Sequence, residues 1–326
     1  MQLPDFSSIR VAVIGDIILD VFSYQRKDRQ CAEDAAVSCW QEHKVTRQPG
    51  GIGTTARCVR QLHGQAAVYG VSGVGYTSTQ LARTLHELGI EIELMRLGGR
   101  HTSLKARTVD VETGRYVHVK ERHSREPVES WVANGIVDQL KKSEAQVLVI
   151  SDFDRGVITP ELGEGLSALS QESGKPLLVD ARPRPVAWYK EHFPHMRLIT
   201  PNLREAEGML ERTVRNHSEI DSAGRELRDT LKCNVLLTLS EHGARLYETS
   251  GDERVYSVCN HKSVVCVAGA GDTLIATIAL CLGAGMSLAH ACEVGQFAAG
   301  VTVALEGTDV ATREDLEEAL EGVELK

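Results

Sequence analysis

Val11-Ala-Val-Ile-Gly15, running into Asp16-Ile-Ile-Leu-Asp20, is the stretch on which the fold turns. Four apolar residues without polar alternation read as a strand covered on both faces, and the glycine as the turn at its carboxyl end. Similar apolar runs recur at 67–71, 147–151, 176–180, 196–200 and 235–239. Helical patterns at 77–89, 129–142, 160–173 and 203–211 separate several of them. Short apolar strands alternating with helices predict a mostly parallel sheet with helices on both faces, an α/β/α sandwich. Residues 19–46 and 101–123 break the rhythm with polar–apolar alternation. In the second, Arg107–Val119 reads as a hairpin turning at Glu112-Thr113-Gly114. The expectation is one α/β domain over residues 1–326 with an inserted β-sheet lid built from those two segments.

The composition suits an enzyme rather than a binder of polyanions. Of 326 residues, 42% are hydrophobic and 25% charged, and the formal net charge of −9 argues against nucleic-acid or anionic-membrane partners. Eight cysteines, at 31, 39, 58, 233, 259, 266, 281 and 292, form no Cys-x-x-Cys pair, so reduced and mostly buried thiols are expected, as in a cytoplasmic protein. The amino terminus lacks a basic region followed by an apolar run, which argues against a signal peptide. The longest apolar stretch, around 274–285, is too short to span a bilayer and reads as a buried helix.

Chemistry concentrates at Gly269-Ala-Gly-Asp-Thr273, just before that apolar helix. Small residues leave the first N–H groups of a helix unobstructed, and with the helix dipole they form an anion site. Asp272 beside that site reads either as a general base for a hydroxyl or as a plain helix cap. No Gly-x-x-x-x-Gly-Lys-Ser/Thr occurs, because Gly174-Lys175 is followed by Pro176. Gly70-Val-Ser-Gly-Val-Gly75 departs from the dinucleotide fingerprint.

Several segments together resemble the ribokinase-like (PfkB) carbohydrate kinases. Gly269-Ala-Gly-Asp272 is similar to their signature, and Gly15–Asp20 to their first-strand substrate motif. Pro49-Gly-Gly51 with Ala56 resembles their Gly-Gly substrate loop, and Ser151–Gly156 and Val179-Asp180 two later strand ends. Thr200-Pro-Asn-Leu-Arg-Glu205 resembles the Asn-x-x-Glu motif linked to magnesium and phosphate. Thr238–Gly243, Ala298-Ala-Gly300 and Gly307-Thr308 resemble the nucleotide-binding strand end, the last nucleotide-side helix and its loop. The likeness spans roughly residues 10–315 and is greatest to bacterial kinases of D-glycero-D-manno-heptose 7-phosphate, some of which carry a second, nucleotidyltransferase domain. The sequence stops at Lys326, and no such domain is expected within it.

The resemblance implies ATP as phosphoryl donor, magnesium, and a sugar phosphate as acceptor. It makes Asp272 the base, with Gly269, Ala270 and Gly271 stabilising the transferring group. It assigns Asp16, Asp20, Gly50, Gly51, Thr54, Lys105, Arg107, Asp152 and Arg182 to the acceptor. It assigns Asn202, Glu205, Thr238, Ser240, Gly243, Ala299 and Gly300 to the nucleotide, with Asn202 and Glu205 reaching magnesium through water. A homodimer through the β-lid is also implied. Lys105 and Arg107 alternate on one strand and share a face. They read as solvated edge charges or as a phosphate clamp that Arg182 and Arg184 join.

The departures fall mostly on the acceptor side. Thr54 stands where the family has a sugar-binding Asn, and Cys31–Ala36 replaces the usual lid entry. Cys266-Val-Ala268 replaces the Asp-x-Thr that helps build a monovalent-cation site, and Cys266 is expected as a buried structural thiol. The alternatives are a related kinase for another sugar or a nucleoside, or a binding protein that has lost catalysis.

Overall fold

The computed structural model describes residues 2–34, 36–257, 264–305 and 309–323. In chain order, strands β1 (Arg10–Gly15), β2 (Ile17–Gln30) and β3 (Ser38–Gly51) lead into helix α1 (Ile52–Gln61). Strand β4 (Gln65–Ser72), helix α2 (Tyr76–Glu87) and strands β5 (Glu91–Arg96), β6 (Ser103–Asp110) and β7 (Tyr116–Arg122) follow. Helices α3 (Ser130–Lys141), α4 (Pro160–Ser173) and α5 (Val186–His192) alternate with strands β8 (Val147–Ser151), β9 (Leu177–Asp180) and β10 (Leu198–Ile199). Helices α6 (Leu203–Leu210) and α7 (His217–Leu231) precede strands β11 (Asn234–Thr238), β12 (Ala244–Tyr247) and β13 (Glu253–Tyr256). Helices α8 (Ala270–Gly283), α9 (Leu288–Thr302) and α10 (Arg313–Ala319) close the chain.

Nine strands form one sheet in the order β13-β12-β11-β10-β9-β8-β1-β4-β5, parallel from β11 to β5 with β12 and β13 antiparallel at one edge. Strand β1 shows why the stretch is apolar throughout. Val11 and Val13 join one core with Ile275, Ile278 and Leu280 of α8, while Ala12 and Ile14 join the opposite core with Ile136 and Leu140 of α3. A strand buried on both faces cannot alternate with polar residues. The helices obey local chemistry: Thr159 caps α4 by accepting the Leu162 N–H, Pro160 starts it, and Gly174 ends it in the left-handed conformation.

A second, four-stranded sheet has the order β3-β2-β6-β7. β2 pairs with β3 and β6 with β7 in antiparallel fashion, and β2 with β6 in parallel. The expected hairpin is present, with its turn between Asp110 and Tyr116. β2 begins two residues after β1 ends, and β3 runs directly into α1. The smaller sheet therefore rises from the carboxyl edge of the larger one. Among the described residues no helix is long and apolar enough to cross a membrane, and the seven described cysteines are all free. Cys266 is half-buried rather than buried, because it lies in an irregular segment whose N–H bonds to Val303 O at 3.1 Å.

Candidate active site

Asp272 stands in the first turn of α8, capped by Gly269 at φ 83°. That left-handed conformation suits glycine and lets the chain enter the helix sharply. As at any helix start, the first N–H groups lack intrahelical partners; the Ala270 N–H makes only a long 3.5 Å contact to Val267 O. Behind this turn runs a chain of hydroxyls. Ala311 N–H donates to Thr302 Oγ1 (3.2 Å), which donates to Thr273 Oγ1 (3.1 Å), which donates to Gly269 O (2.9 Å). Thr55, wholly buried at the start of α1, donates from Oγ1 to Asp272 Oδ1 at 2.6 Å. Surrounding protein pushes the Asp272 carboxyl up to about 6, chiefly by desolvation, against the Thr55 hydrogen bond and the charges of Arg182 and Arg57. The carboxylate is therefore the form present at neutral pH, with a basicity suited to taking a proton.

Asp272 lines a cleft of about 390 Å³ together with Phe153, Asp180, Arg182, Asn202, Glu205, Thr238, Gly269 and Gly271. The cleft opens over the carboxyl ends of β9, β10 and β11, where sheets of this kind hold ligands. Three carboxylates meet there. Burial raises Asp180 well above its usual range, with Asp272 and Glu205 adding to the effect. Burial also raises Glu205, against a capping box in which Asn202 N–H donates to Glu205 Oε2 (2.8 Å) and Glu205 N–H to Asn202 Oδ1 (3.0 Å). Asn202 and Glu205 offer the oxygen donors a hard divalent cation takes, although among the described residues no group of three or more His, Cys, Asp or Glu side chains is arranged to hold a metal. Thr238 faces the cleft, whereas Ser240 and Gly243 on the following turn, and Ala299 and Gly300 on α9, lie outside its lining. Gly307-Thr308 lies outside the described residues.

On the acceptor side the structure shows what surrounds each expected residue. Asp16 was expected to hold sugar hydroxyls, but it is 1% exposed and its carboxylate accepts the N–H groups of Phe153 (2.9 Å), Arg155 (3.0 Å) and Val157 (3.2 Å). It anchors the loop after β8. Asp20, four residues further along, is half-buried: it bonds Arg107 Nη1 at 2.6 Å and lies against Gly50, where a Cβ would come within 2.1 Å of its Oδ2. Gly51 keeps its place beside it, with the Ile52 N–H bonded to Asp16 O (3.0 Å), and Thr54 Oγ1 turns back to Pro49 O (3.4 Å).

The expected clamp of Lys105 and Arg107 is paired within the protein. Lys105 Nζ pairs with Glu121 Oε1 at 2.9 Å, and Arg107 is held by Asp20 and stacks on Phe22 at 4.8 Å. Each charge is paired with a carboxylate, and neither residue lines the Asp272 cleft or the one adjoining it. Arg182 and Arg184 belong elsewhere, in an adjoining cleft of about 380 Å³ lined also by Arg125, Phe153, Asp154, Arg155 and Pro183. Asp152, 4% exposed, accepts Arg184 Nε (3.0 Å) and Nη2 (2.6 Å) on Oδ2, and its carbonyl accepts Arg182 Nε. Asp152 therefore holds Arg182 and Arg184 in place. Sequence reasoning overlooked Thr55, Arg125 and Arg155. The first is adjacent to Thr54 in the Gly-Gly loop, and Arg155 lies within the Ser151–Gly156 segment read above; Arg125 carries no motif.

A family model described as pfkB family carbohydrate kinase matches residues 8–315. The bifunctional protein HldE of Halorhodospira halophila is 32% identical over 332 residues, covering 98% of this chain and 65% of the relative. That of Caulobacter vibrioides is 31% identical over 316 residues, covering 95% and 63%. The chain thus spans just under two thirds of the length of these relatives. Among solved structures, Escherichia coli phosphofructokinase-2 in complex with potassium superposes with a TM-score of 0.78 at 18% identity, covering 97% of this chain and 98% of the other. Arabidopsis thaliana ribokinase complexed with ribose and ATP gives 0.73 at 15%, covering 97% and 100%. At such identities the superpositions establish the ribokinase-like fold, and the match along residues 8–315 establishes the kinship: the chain belongs to the pfkB family of carbohydrate kinases.

Proposed function

We propose that this protein transfers the γ-phosphoryl group of ATP to a hydroxyl of a sugar phosphate, with a heptose 7-phosphate as the leading acceptor. The observation that carries this reading is Asp272, a carboxylate hydrogen-bonded by Thr55 at a helix start whose N–H groups face a ligand-sized cleft. The acceptor hydroxyl gives its proton to Asp272 as its oxygen attacks. The N–H groups at Gly269, Ala270 and Gly271 stabilise the charge on the transferring group. Asn202 and Glu205 would hold magnesium through water, and the ion would neutralise phosphate charge. Thr238, Ser240, Gly243, Ala299 and Gly300 would border the nucleotide, and Asp20, Gly50, Gly51 and Thr54 the sugar. The smaller sheet would cover the acceptor and exclude water. The likeness to the HldE proteins over nearly the whole chain supports a heptose acceptor. Free thiols throughout the described chain support a cytoplasmic setting.

The test is ADP release with a panel of sugars and sugar phosphates that includes heptose 7-phosphates. One sugar phosphate should stimulate steady turnover, and Asp272→Asn should lower kcat by roughly 10²-fold or more. Absence of acceptor-stimulated turnover in the wild type would reject the kinase reading. Near-wild-type turnover in the variant would remove Asp272 from it.

A further inference from the structure

The cleft beside the catalytic one is lined by four arginines from three separate segments: Arg125 after β7, Arg155 after β8, and Arg182 and Arg184 after β9. In a protein of net charge −9 this is a local reversal of sign. Three of the four guanidinium groups are held in place. Arg184 is pinned by two N–H groups to Asp152 Oδ2 and stacks on Trp188 at 4.4 Å. Arg182 stacks on Phe153 at 4.8 Å, and Arg155 Nη2 donates to Glu121 Oε2 at 3.3 Å. Arg155 Nε and Nη1 have no hydrogen-bond partner. Arg125 is exposed, and its side chain has no hydrogen-bond or ion-pair partner among the described residues. The field of these groups reaches His123, whose ring is held below its usual range by burial and then by Arg155 and Arg125.

The charges do not balance. Glu121 is shared with Lys105, so it leaves Arg155 positive. Asp154 lines this cleft and Asp152 lies behind Arg184, while Arg182 also faces Asp180, Asp272 and Glu205 of the neighbouring cleft. That leaves Arg125, without an ion-pair partner among the described residues, and Arg155, with Nε and Nη1 unbonded, as the donors open to a phosphate monoester dianion. Phe153 and Arg182 line both clefts, so a ligand seated here extends directly toward Asp272.

Resting on the kinase reading above, we propose that Arg125, Arg155, Arg182 and Arg184 form the subsite for a phosphate monoester carried by the acceptor, remote from the hydroxyl that reacts. This places recognition of the phosphate on the loops after β7, β8 and β9 rather than on Lys105 and Arg107. It makes the subsite a determinant of specificity between a sugar phosphate and its parent sugar.

Two variants test it, Arg125→Ala and the double variant Arg125→Ala/Arg155→Ala, each checked for an unchanged melting transition. Their arginines make no bond to Asp152, so the buried ion pair stays intact. The first readout is independent of turnover: titration calorimetry with inorganic phosphate, without nucleotide. The wild type should bind phosphate, and the double variant at least tenfold more weakly. Equal binding by both, or none by the wild type, overturns the subsite whatever the enzyme does. The second readout is the ratio of kcat/KM for the sugar phosphate to that for its parent, which should fall at least tenfold in Arg125→Ala. KM for ATP should change far less than KM for the sugar phosphate. A ratio that stays constant, or inorganic phosphate competing with ATP instead of the acceptor, also overturns it. Phosphate binding without any acceptor-stimulated turnover in the wild type would retain an anion site but overturn its assignment to a kinase acceptor.

Discussion

Thr55→Val isolates the hydrogen bond that tunes the base. The substitution keeps the volume and branching of a fully buried side chain and deletes one donor, the 2.6 Å bond from Oγ1 to Asp272 Oδ1. A hydrogen bond to a charged group contributes about 1.5–3 kcal/mol. One pKa unit corresponds to about 1.4 kcal/mol, so loss of the bond should raise the Asp272 carboxyl by about 1–2 units. The sign follows from which form is stabilised. A donor favours the carboxylate, so its removal favours the protonated acid, and the base becomes active only at higher pH. In the wild type, kcat/KM should rise with pH through about 6. In Thr55→Val that limb should move to about pH 7–8, costing roughly two- to tenfold at pH 7 while activity at pH 9 is largely retained. The assay is a pH profile of kcat/KM for the acceptor at saturating ATP, because this parameter reports the ATP-bound enzyme before the acceptor binds. An acid limb that stays in place, or an equal loss at every pH, would refute the tuning role and make Thr55 a packing residue. Thr55→Ser, which restores the donor, should return the limb toward the wild-type position.

Two further outcomes bear on the departures from the family pattern. Cys266 and Ala268 supply no side-chain oxygen near the anion turn, so activity in potassium should lie within about twofold of that in a bulky organic cation. A several-fold potassium stimulation would show that backbone carbonyls suffice. Strand β7 is exposed along its whole length and presents Tyr116, Val117 and Val119, a surface through which the expected homodimer would form. Sedimentation should give twice the chain mass, and Val117→Lys/Val119→Lys should return it to monomer; a wild-type monomer at micromolar concentration would exclude this.

The sequence by itself determined the layered architecture. Apolar runs such as Val11–Ile14 and Val147–Ile150 can be satisfied only by burial on both faces, so their positions were legible. The turn at Gly269 and the helix behind Asp272 were legible for the same reason, since small residues before an apolar run have few other uses. Strand β5 was not, because Glu91, Ile92, Glu93 and Leu94 alternate at the sheet edge over only six residues. Tertiary structure alone decided which charges are free. Asp16 and Asp20 look equivalent in sequence, but the loop after β8 folds three N–H groups onto the first and leaves the second to meet Arg107. Lys105 and Arg107 look like a clamp until β7 and β2 bring Glu121 and Asp20 against them. Arg125, Arg155, Arg182 and Arg184, spread over sixty positions of chain, become one basic cleft only when β8 and β9 pair side by side. Periodicity records which residues are buried, a local property of each element. The neutralisation of a charge depends on what arrives from distant segments, and that is set only when the chain closes on itself.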